Sequence, residues 1–330
     1  MNIENNCFAG QNVLVTGGLG FIGSNIARAL VKSGAKVTVI DKLYDGQGGN
    51  LFNVEDIKDK INVSITDLSE KHVVEALVRD KNTIFNVAGN TSHPDSMKFP
   101  EIDAHCNFVS HIGLLEACRK SNDSCKIIFA STRQLYGKPK YLPMDEKHPI
   151  EPVDINGINH LACEQAHSLY AKTYGIETCS LRLTNTFGPG QQMKHSRQGF
   201  IPWFIRLAID NQQIKIFGSG EQRRDINYIS DVVNAFLLAA ENKNSSGKIY
   251  NVGGEIMNLL DFTKLLIKTA GSGSFELVPF PEERAKIDIG DAYSDYAKIK
   301  QELGWQPEVS VEQGLRETIN HYRLNKSNYW

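Results

Sequence analysis

Near the start of the chain the run Thr16-Gly17-Gly18-Leu19-Gly20-Phe21-Ile22-Gly23 has a spacing suited to phosphate chemistry. Gly17, Gly20 and Gly23 answer three needs: a tight turn, a backbone that can approach a pyrophosphate, and close packing of helix on strand. A helix opening at Phe21 and Ile22 offers unpaired N–H groups and a partial positive charge to the phosphates. Asp41, closing the next apolar run, supplies a carboxylate to accept hydrogen bonds from an adenosine ribose. The same carboxylate repels a 2′-phosphate, so NAD is expected over NADP. Lys42 is the one residue nearby that could soften this preference. The competing readings are a glycine turn that binds nothing and a phosphate loop of another type. The second is disfavoured because no Gly-Lys-Ser/Thr ending is present.

The elements that must hold these residues are legible in the pattern. Residues 12–16 form a short β-branched apolar run, which predicts a buried strand, and 36–40 predict a second strand ending at Asp41. Between them Ile22, Ile26 and Leu30 recur at helical spacing. Further strands are predicted at 62–66, 83–87, 126–130 and 178–183, with helices near 71–80, 101–121 and 157–174. Strands regularly separated by helices argue for an α/β fold with a parallel, doubly wound sheet. After Arg182 the pattern loosens into a Gly/Pro loop at 187–192, a helix at 199–211 and a strand at 214–217. A helix at 231–241, a strand at 248–252 and a mostly helical tail follow. The expected division is a dinucleotide-binding domain of 1–183 plus 229–255 and a smaller, mostly helical substrate domain of 184–228 plus 256–330.

Composition sets the outer bounds. A formal charge of -2 over 330 residues gives no reason to expect nucleic acid or an anionic membrane as a partner. No apolar run approaches the roughly 20 residues that span a bilayer, and the N-terminus lacks the basic and apolar regions of a signal peptide. Cys7, Cys106, Cys118, Cys125, Cys163 and Cys179 show no metal-ligand spacing. Neither a metal nor a disulfide framework is expected, and a reducing cytoplasm fits best.

Motifs along nearly the whole chain extend the cofactor reading. They include the glycine run, Asp67-Leu68, Asn86-Val87-Ala88-Gly89, Asn107, Ser131-Thr132 with Tyr136-Gly137, and Arg182-Leu183-Thr184-Asn185 leading to Phe187-Gly188-Pro189. The second half adds Phe217-Gly218-Ser219-Gly220-Glu221-Gln222-Arg223-Arg224-Asp225, Tyr250-Asn251-Val252-Gly253-Gly254 and Leu303-Gly304-Trp305. On these the chain resembles an extended short-chain dehydrogenase/reductase, of the epimerase/dehydratase branch that acts on nucleotide-diphosphate sugars with NAD in a Rossmann domain. The resemblance implies that Asp67 and Leu68 sit by the adenine, and Val87, Ala88 and Gly89 by the cofactor phosphates and ribose. It implies that Asn185, Arg224 and Arg284 bind the sugar nucleotide, where guanidinium groups match phosphate oxygens in a fork geometry. Read without the resemblance, Arg223-Arg224-Asp225 is a surface ion pair worth little.

One part of the pattern breaks. The family carries Tyr and Lys four residues apart on the helix after the fifth strand, the Tyr exchanging a proton with the sugar while the Lys holds the ribose and lowers the Tyr pKa. Here Asn156 and His160 stand at those places. An amide has no useful proton to exchange near neutral pH, so Asn156 is not a general base, though it could orient the sugar. Two other Tyr-x-x-x-Lys spacings are chance matches. Tyr136 to Lys140 crosses Gly137 and Pro139, and Tyr296 to Lys300 lies in the C-terminal tail. Three accounts remain open. His160 acts as the base or contacts the cofactor ribose; another group, namely Thr132, Tyr136, His93 or the substrate itself, takes over; or the site binds without turnover.

The turn Ser131-Thr132-Arg133-Gln134 narrows the chemistry. Thr132 matches the family's hydrogen-bond donor to the reacting sugar oxygen. Arg133 and Gln134 occupy the places of the Asp-Glu pair used by dehydratases, so 4,6-dehydration is disfavoured. Arg133 could instead pair with an anionic group such as a uronic carboxylate, or be salt-bridged within the protein. The expectation is an NAD-dependent, cytoplasmic nucleotide-sugar epimerase, homodimeric like its family and without net use of NAD. A decarboxylase or other non-standard nucleotide-sugar enzyme, and a silent sugar-nucleotide-binding protein, are the alternatives.

Overall fold

Apolar β-branched runs alternate with amphipathic helices through the first half of the chain, and their burial fixes a layered architecture. The computed structural model describes residues 7–44, 46–280 and 289–330. Its strands in chain order are β1 (Asn12–Thr16), β2 (Lys36–Asp41), β3 (Ile61–Ile65), β4 (Thr83–Asn86), β5 (Lys126–Thr132), β6 (Glu177–Leu183), β7 (Asn185–Phe187), β8 (Gln213–Phe217), β9 (Arg223–Tyr228), β10 (Lys248–Val252), β11 (Glu255–Asn258) and β12 (Ser274–Val278). The helices used below are α1 (Phe21–Lys32), α2 (Lys71–Val78), α3 (His93–Lys98), α4 (Pro100–Ala104), α5 (Ser110–Ser121), α6 (Ile155–Tyr174), α7 (Phe200–Ile209), α8 (Ile229–Glu241) and α9 (Leu259–Ala270).

Seven strands pair in the order β10-β6-β5-β4-β1-β2-β3, all parallel. In β1, Val13 and Val15 point into the apolar layer under α1 and α8, and Leu14 points into the opposite layer under α2 and α5. A strand buried on both faces reads as a continuous apolar run, which is why it was visible in the sequence. Between β1 and β4 the strand order reverses direction, opening a crevice at the carboxyl ends where ligands bind in such sheets.

The second lobe is less helical than its sequence suggested. It carries a three-stranded sheet β11-β9-β7 and a two-stranded sheet β12-β8 beside helices α7 and α9. The strand β9 contains Arg223-Arg224-Asp225 and β7 is only three residues long, so neither offers the apolar alternation that marks a strand. The predicted helix 101–121 is also interrupted: α4 passes into a wider π turn over His105–Val109 before α5 begins. Within that turn Asn107 accepts a hydrogen bond from the Asn90 amide at 2.8 Å and donates to the Asn90 carbonyl at 3.0 Å. The π turn therefore clamps the loop after β4.

Candidate active site

The glycine run occupies the crevice as its spacing requires. Gly17 has φ +64°, and a Cβ there would lie 2.8 Å from the Ala88 Cα. A Cβ on Gly23 would lie 2.2 Å from the Gly17 carbonyl oxygen. Both contacts are too short for any side chain, so these two glycines are demanded by close backbone approach. The first turn of α1 has no side-chain cap and no acidic residue, leaving its amides open to an anion. Asp41 Oδ2 accepts from the Leu19 amide at 3.1 Å and Oδ1 from the Leu43 amide at 2.8 Å. Burial pushes its carboxyl above the usual range, and the neighbouring amides pull back against that. Gly17, Gly20, Phe21, Ile22, Gly23 and Asp41 all line one cavity of about 510 Å³. Lys42, Asp67, Leu68, Val87, Ala88 and Gly89 line the same space.

Lys42 is committed elsewhere. Its Nζ donates to Asp67 Oδ2 at 2.5 Å and to the Tyr44 hydroxyl at 2.7 Å, bonds that hold its pKa above the ordinary lysine value. Burial pushes the Asp67 carboxyl up, but Lys42 and Ser69 outweigh this and leave it low. Pairing with Asp67 partly neutralises this lysine, which weakens the one softening influence on the choice of NAD.

Beneath the loop after β4 lies a buried polar network. Thr16 Oγ1 donates to Asn86 Oδ1 at 3.0 Å and accepts from the amides of Val87 and Ala88 at 3.0 and 3.1 Å. His111 Nδ1 donates to the same Asn86 oxygen at 3.1 Å, while Asn86 Nδ2 donates to His167 Nε2 at 3.2 Å. That direction leaves His167 Nδ1 to donate to the Cys163 carbonyl at 2.8 Å. One consistent set of neutral tautomers therefore accounts for these bonds, with His111 Nε2 left as a buried acceptor without a partner. Burial favours the same neutral forms, pushing His111 down to about 3 and His167 to about 4.

At the far end of the cavity stand Thr132, Arg133, Asn185 and Arg224. Thr132 ends β5 and accepts a hydrogen bond from the Gln134 amide at 3.2 Å. Behind it, Ser131 donates to Glu164 Oε2 at 2.7 Å, and Arg182 grips both Glu164 oxygens at 2.9 and 2.6 Å. Arg182 also donates to the Tyr136 hydroxyl at 2.6 Å, which itself donates to Asn251 Oδ1 at 2.8 Å. Burial pushes the Tyr136 hydroxyl up to about 12. So held, Tyr136 is part of a wall and not a proton acceptor near neutral pH. Asn185 Nδ2 donates to the Asp225 carbonyl at 3.0 Å, and Arg224 donates to the Gly290 carbonyl at 2.5 Å. The expected ligand Arg284 lies outside the described residues.

Arg133 differs from Arg224 and Arg182. Its guanidinium makes no hydrogen bond or ion pair within 4.0 Å among the described residues, and it faces the cavity. Desolvation pushes its pKa down against the pull of Asp225. Burial in turn pushes the Asp225 carboxyl up to about 6, with the Arg133 charge opposing.

Asn156 and His160 line the same cavity. Asn156 and His160 lie one turn apart near the start of α6, both buried. Asn156 Nδ2 donates to the Asn90 carbonyl at 2.7 Å and to Asp103 Oδ2 at 3.1 Å, so its amide hydrogens tie α6 to the loop after β4 and to α4. Asp103 takes a second bond from Asn159 at 2.9 Å. His160 makes no hydrogen bond at its buried Nδ1, and burial pushes its pKa down to about 4. A neutral imidazole supplies no positive charge there. Two residues before Asn156, Asp154 caps α6 and binds the ring of His93. Asp103 and Asp154 escaped the sequence reading. An Asp before a helical run was a visible cap signal for Asp154, whereas nothing local marked Asp103.

A parallel sheet with a glycine cradle, an acidic residue closing the second strand and a crevice at the switch point define a nicotinamide-dinucleotide-binding Rossmann protein. Residues 13–253 match the model of the NAD dependent epimerase/dehydratase family, and the chain belongs to that family. It is 35% identical over 325 residues to a putative UDP-glucose 4-epimerase of Methanocaldococcus jannaschii, covering 95% of this chain and 99% of that one. Among solved structures it is similar to the UDP-glucose 4-epimerase of Thermotoga maritima with UDP-glucose, at 30% identity and a TM-score of 0.86 over 96% of this chain and 99% of that one. It is also similar to the UDP-glucuronic acid 4-epimerase of Bacillus cereus in complex with UDP-glucuronic acid and NAD, at 26% identity and a TM-score of 0.84 over 95% and 99%. No helix of the described residues is long and apolar enough to cross a membrane, and they contain no cluster of potential metal ligands.

Proposed function

We propose that the protein epimerises a nucleotide-diphosphate sugar through a transient keto-sugar, with NAD regenerated in each cycle. The observation that carries this reading is the single cavity of about 510 Å³ reaching from Gly17 and Asp41 to Thr132, Asn185 and Arg224. Gly17, Gly20, Gly23 and the α1 amides would hold the pyrophosphate, with Asp41 on the adenosine ribose and Ala88 and Gly89 beside the nicotinamide half. Bound there, NAD supplies a hydride acceptor that later becomes a donor. Thr132 would donate to the reacting sugar oxygen, while Asn156, fixed through its amide hydrogens, keeps Oδ1 for orienting the sugar. His160, neutral at physiological pH, would serve the cofactor ribose as a hydrogen-bonding partner. The residues of the second lobe, including Asn185, Arg224 and Arg284, would bind the nucleotide diphosphate.

Arg133 favours one refinement: a sugar with an anionic substituent, which would neutralise a guanidinium that has no hydrogen-bond or ion-pair partner within 4.0 Å among the described residues. Incubation with NAD and UDP-glucose, UDP-N-acetylglucosamine or UDP-glucuronic acid tests both readings by product chromatography and by the absorbance of reduced nicotinamide. Turnover is expected, fastest with the uronic acid. Binding of all three sugars without product or reduced cofactor would leave only a sugar-nucleotide-binding protein.

A cytoplasmic homodimer is the accompanying reading. It is supported by exposed apolar side chains at Val109 before α5 and at Ile158 and Leu169 on one face of α6, 52%, 47% and 58% exposed. Sedimentation should give a dimer for the native chain and a monomer for Leu169→Glu.

A further inference from the structure

Three segments distant in sequence meet beside Thr132. His93 begins α3, Gln134 follows Thr132, and Asp154 caps α6. Asp154 Oδ1 accepts the Gly157 amide at 2.7 Å, and Oδ2 faces His93 Nδ1 at 2.5 Å. The carboxylate is thus locked by its capping bond and can only accept, which makes Nδ1 the protonated nitrogen of a neutral His93. Its Nε2 lone pair then points toward the cavity, where it meets the side-chain amide of Gln134. The backbone behind the ring is pinned as well: Ser96 donates to the His93 carbonyl at 2.8 Å and accepts the Asn156 amide at 3.3 Å.

From this arrangement we infer that His93, oriented by Asp154, is the acid–base group that exchanges the proton of the reacting sugar hydroxyl. The inference rests on the epimerase reading above. In the oxidative half, the sugar O–H bond breaks and its proton goes to His93 Nε2, while the hydrogen on the same carbon leaves as hydride to the oxidised nicotinamide. The carbon–oxygen bond becomes a carbonyl. In the return half, hydride reaches the opposite face of that carbon and Nε2–H gives the proton back to oxygen. His93 and the cofactor both end as they began.

Gln134 makes the two protonation states of the ring compatible with one site. Before sugar binds, the Gln134 amide N–H covers the one lone pair of the neutral ring. The sugar hydroxyl displaces it to reach Nε2, and whenever the sugar oxygen is not accepting from the protonated ring, the turned amide can accept from Nε2–H through its oxygen. Gln134 Oε1 is buried without a hydrogen-bond partner, so turning the amide breaks no bond that this oxygen already makes. Asp154 stays ionised throughout: burial pushes its carboxyl up, but His93 and the Gly157 amide hold it below the usual range. Among the described residues, the other charged or titratable groups around this corner include Arg133 between Thr132 and Gln134, His160 on α6, Asp103 on α4, and Asp95 on α3, which Arg197 pairs at 2.9 Å.

The test uses the full chain with NAD, the three UDP-sugars named above as probes, and the variants His93→Gln and Asp154→Asn. Loss of a general base lowers single-turnover cofactor reduction by about 100-fold or more in His93→Gln. The ionisation that shapes the wild-type pH profile also disappears, while calorimetric affinity for the sugar stays within about threefold. Asp154→Asn keeps the helix cap, but its amide donates to Nδ1 and forces the Nε2–H tautomer, a form unable to accept the proton. Nitrogen NMR of histidine-labelled protein without sugar reads this directly: Nδ1–H for His93 in the native chain and Nε2–H in Asp154→Asn. An Nε2–H tautomer in the native chain overturns the inference, as does His93→Gln with an unchanged rate and pH profile. Wild type that gives neither product nor reduced cofactor with any of the sugars overturns the epimerase reading and takes the proton role of His93 with it. Active wild type with equally active His93→Gln overturns the role of His93 alone.

Discussion

The cofactor cradle and the proton-transfer corner share one cavity but are built on opposite principles. The cradle is backbone: two glycines pressed against main-chain atoms, a bare helix N-terminus, and Asp41 at the end of the adjacent strand. All of it comes from one short βαβ stretch. The corner is side chain, assembled across the sequence, with His93 reaching 41 residues to Gln134 and 61 to Asp154. Main-chain geometry tolerates no substitution, so the cradle keeps the form of its family. A proton can be carried by any group of suitable basicity placed within reach, so the corner can change its residues while the cradle stays fixed.

This contrast can be broken most severely behind the corner. Glu164→Ala would strand the Arg182 guanidinium, whose side chain is 3% exposed, without its carboxylate. Thermal or urea denaturation should show a loss of about 3–5 kcal/mol. Next comes the cradle: Gly23→Val forces a side chain against the Gly17 carbonyl, an overpacking cost of about 3 kcal/mol. Titration should find NAD affinity lower by about 100-fold, with Asn156→Ala leaving it nearly unchanged.

A smaller effect follows from the buried histidines joining the two regions. His111, His160 and His167 are held neutral, pushed from the ordinary value of 6.5 to about 3, 4 and 4. Below pH 6.5 the unfolded chain takes up protons on these groups that the folded protein refuses. Stability present above that pH is therefore lost progressively as pH falls toward 4. Denaturation across this window should show the loss, and His167→Gln should shallow its slope. The least effect belongs to Lys42→Ala. The Lys42–Asp67 pair is partly exposed and worth about 1 kcal/mol or less. The ratio of NAD to NADP affinity should hold within about threefold.

Much of the fold was legible because its signals are local. Strands β1 and β2, helix α1 and the acid after β2 each lie in a few consecutive residues whose apolar spacing and glycines are visible in one window. The short strands β7, β9 and β11 were not, because they are stabilised by pairing with one another and their sequences are mostly polar. The possible influence of Lys42 on cofactor choice also looked open in sequence. It narrowed only when folding placed Asp67 against it.

By itself, the sequence determined the cofactor cradle and the parallel sheet, and it drew attention to Asn156 and His160. A glycine's lack of Cβ and an amide's failure to act as acid or base near neutral pH are properties of the residues themselves. Only the tertiary structure decided what those two residues can do. It buried His160 so that desolvation keeps it neutral against the pull of Asp103, Glu164 and Asp154, tied the Asn156 amide hydrogens to Asn90 and Asp103, and set Asp154 behind His93. Basicity, tautomer and orientation arise from burial and from partners far along the chain, so they exist only once the helices have packed.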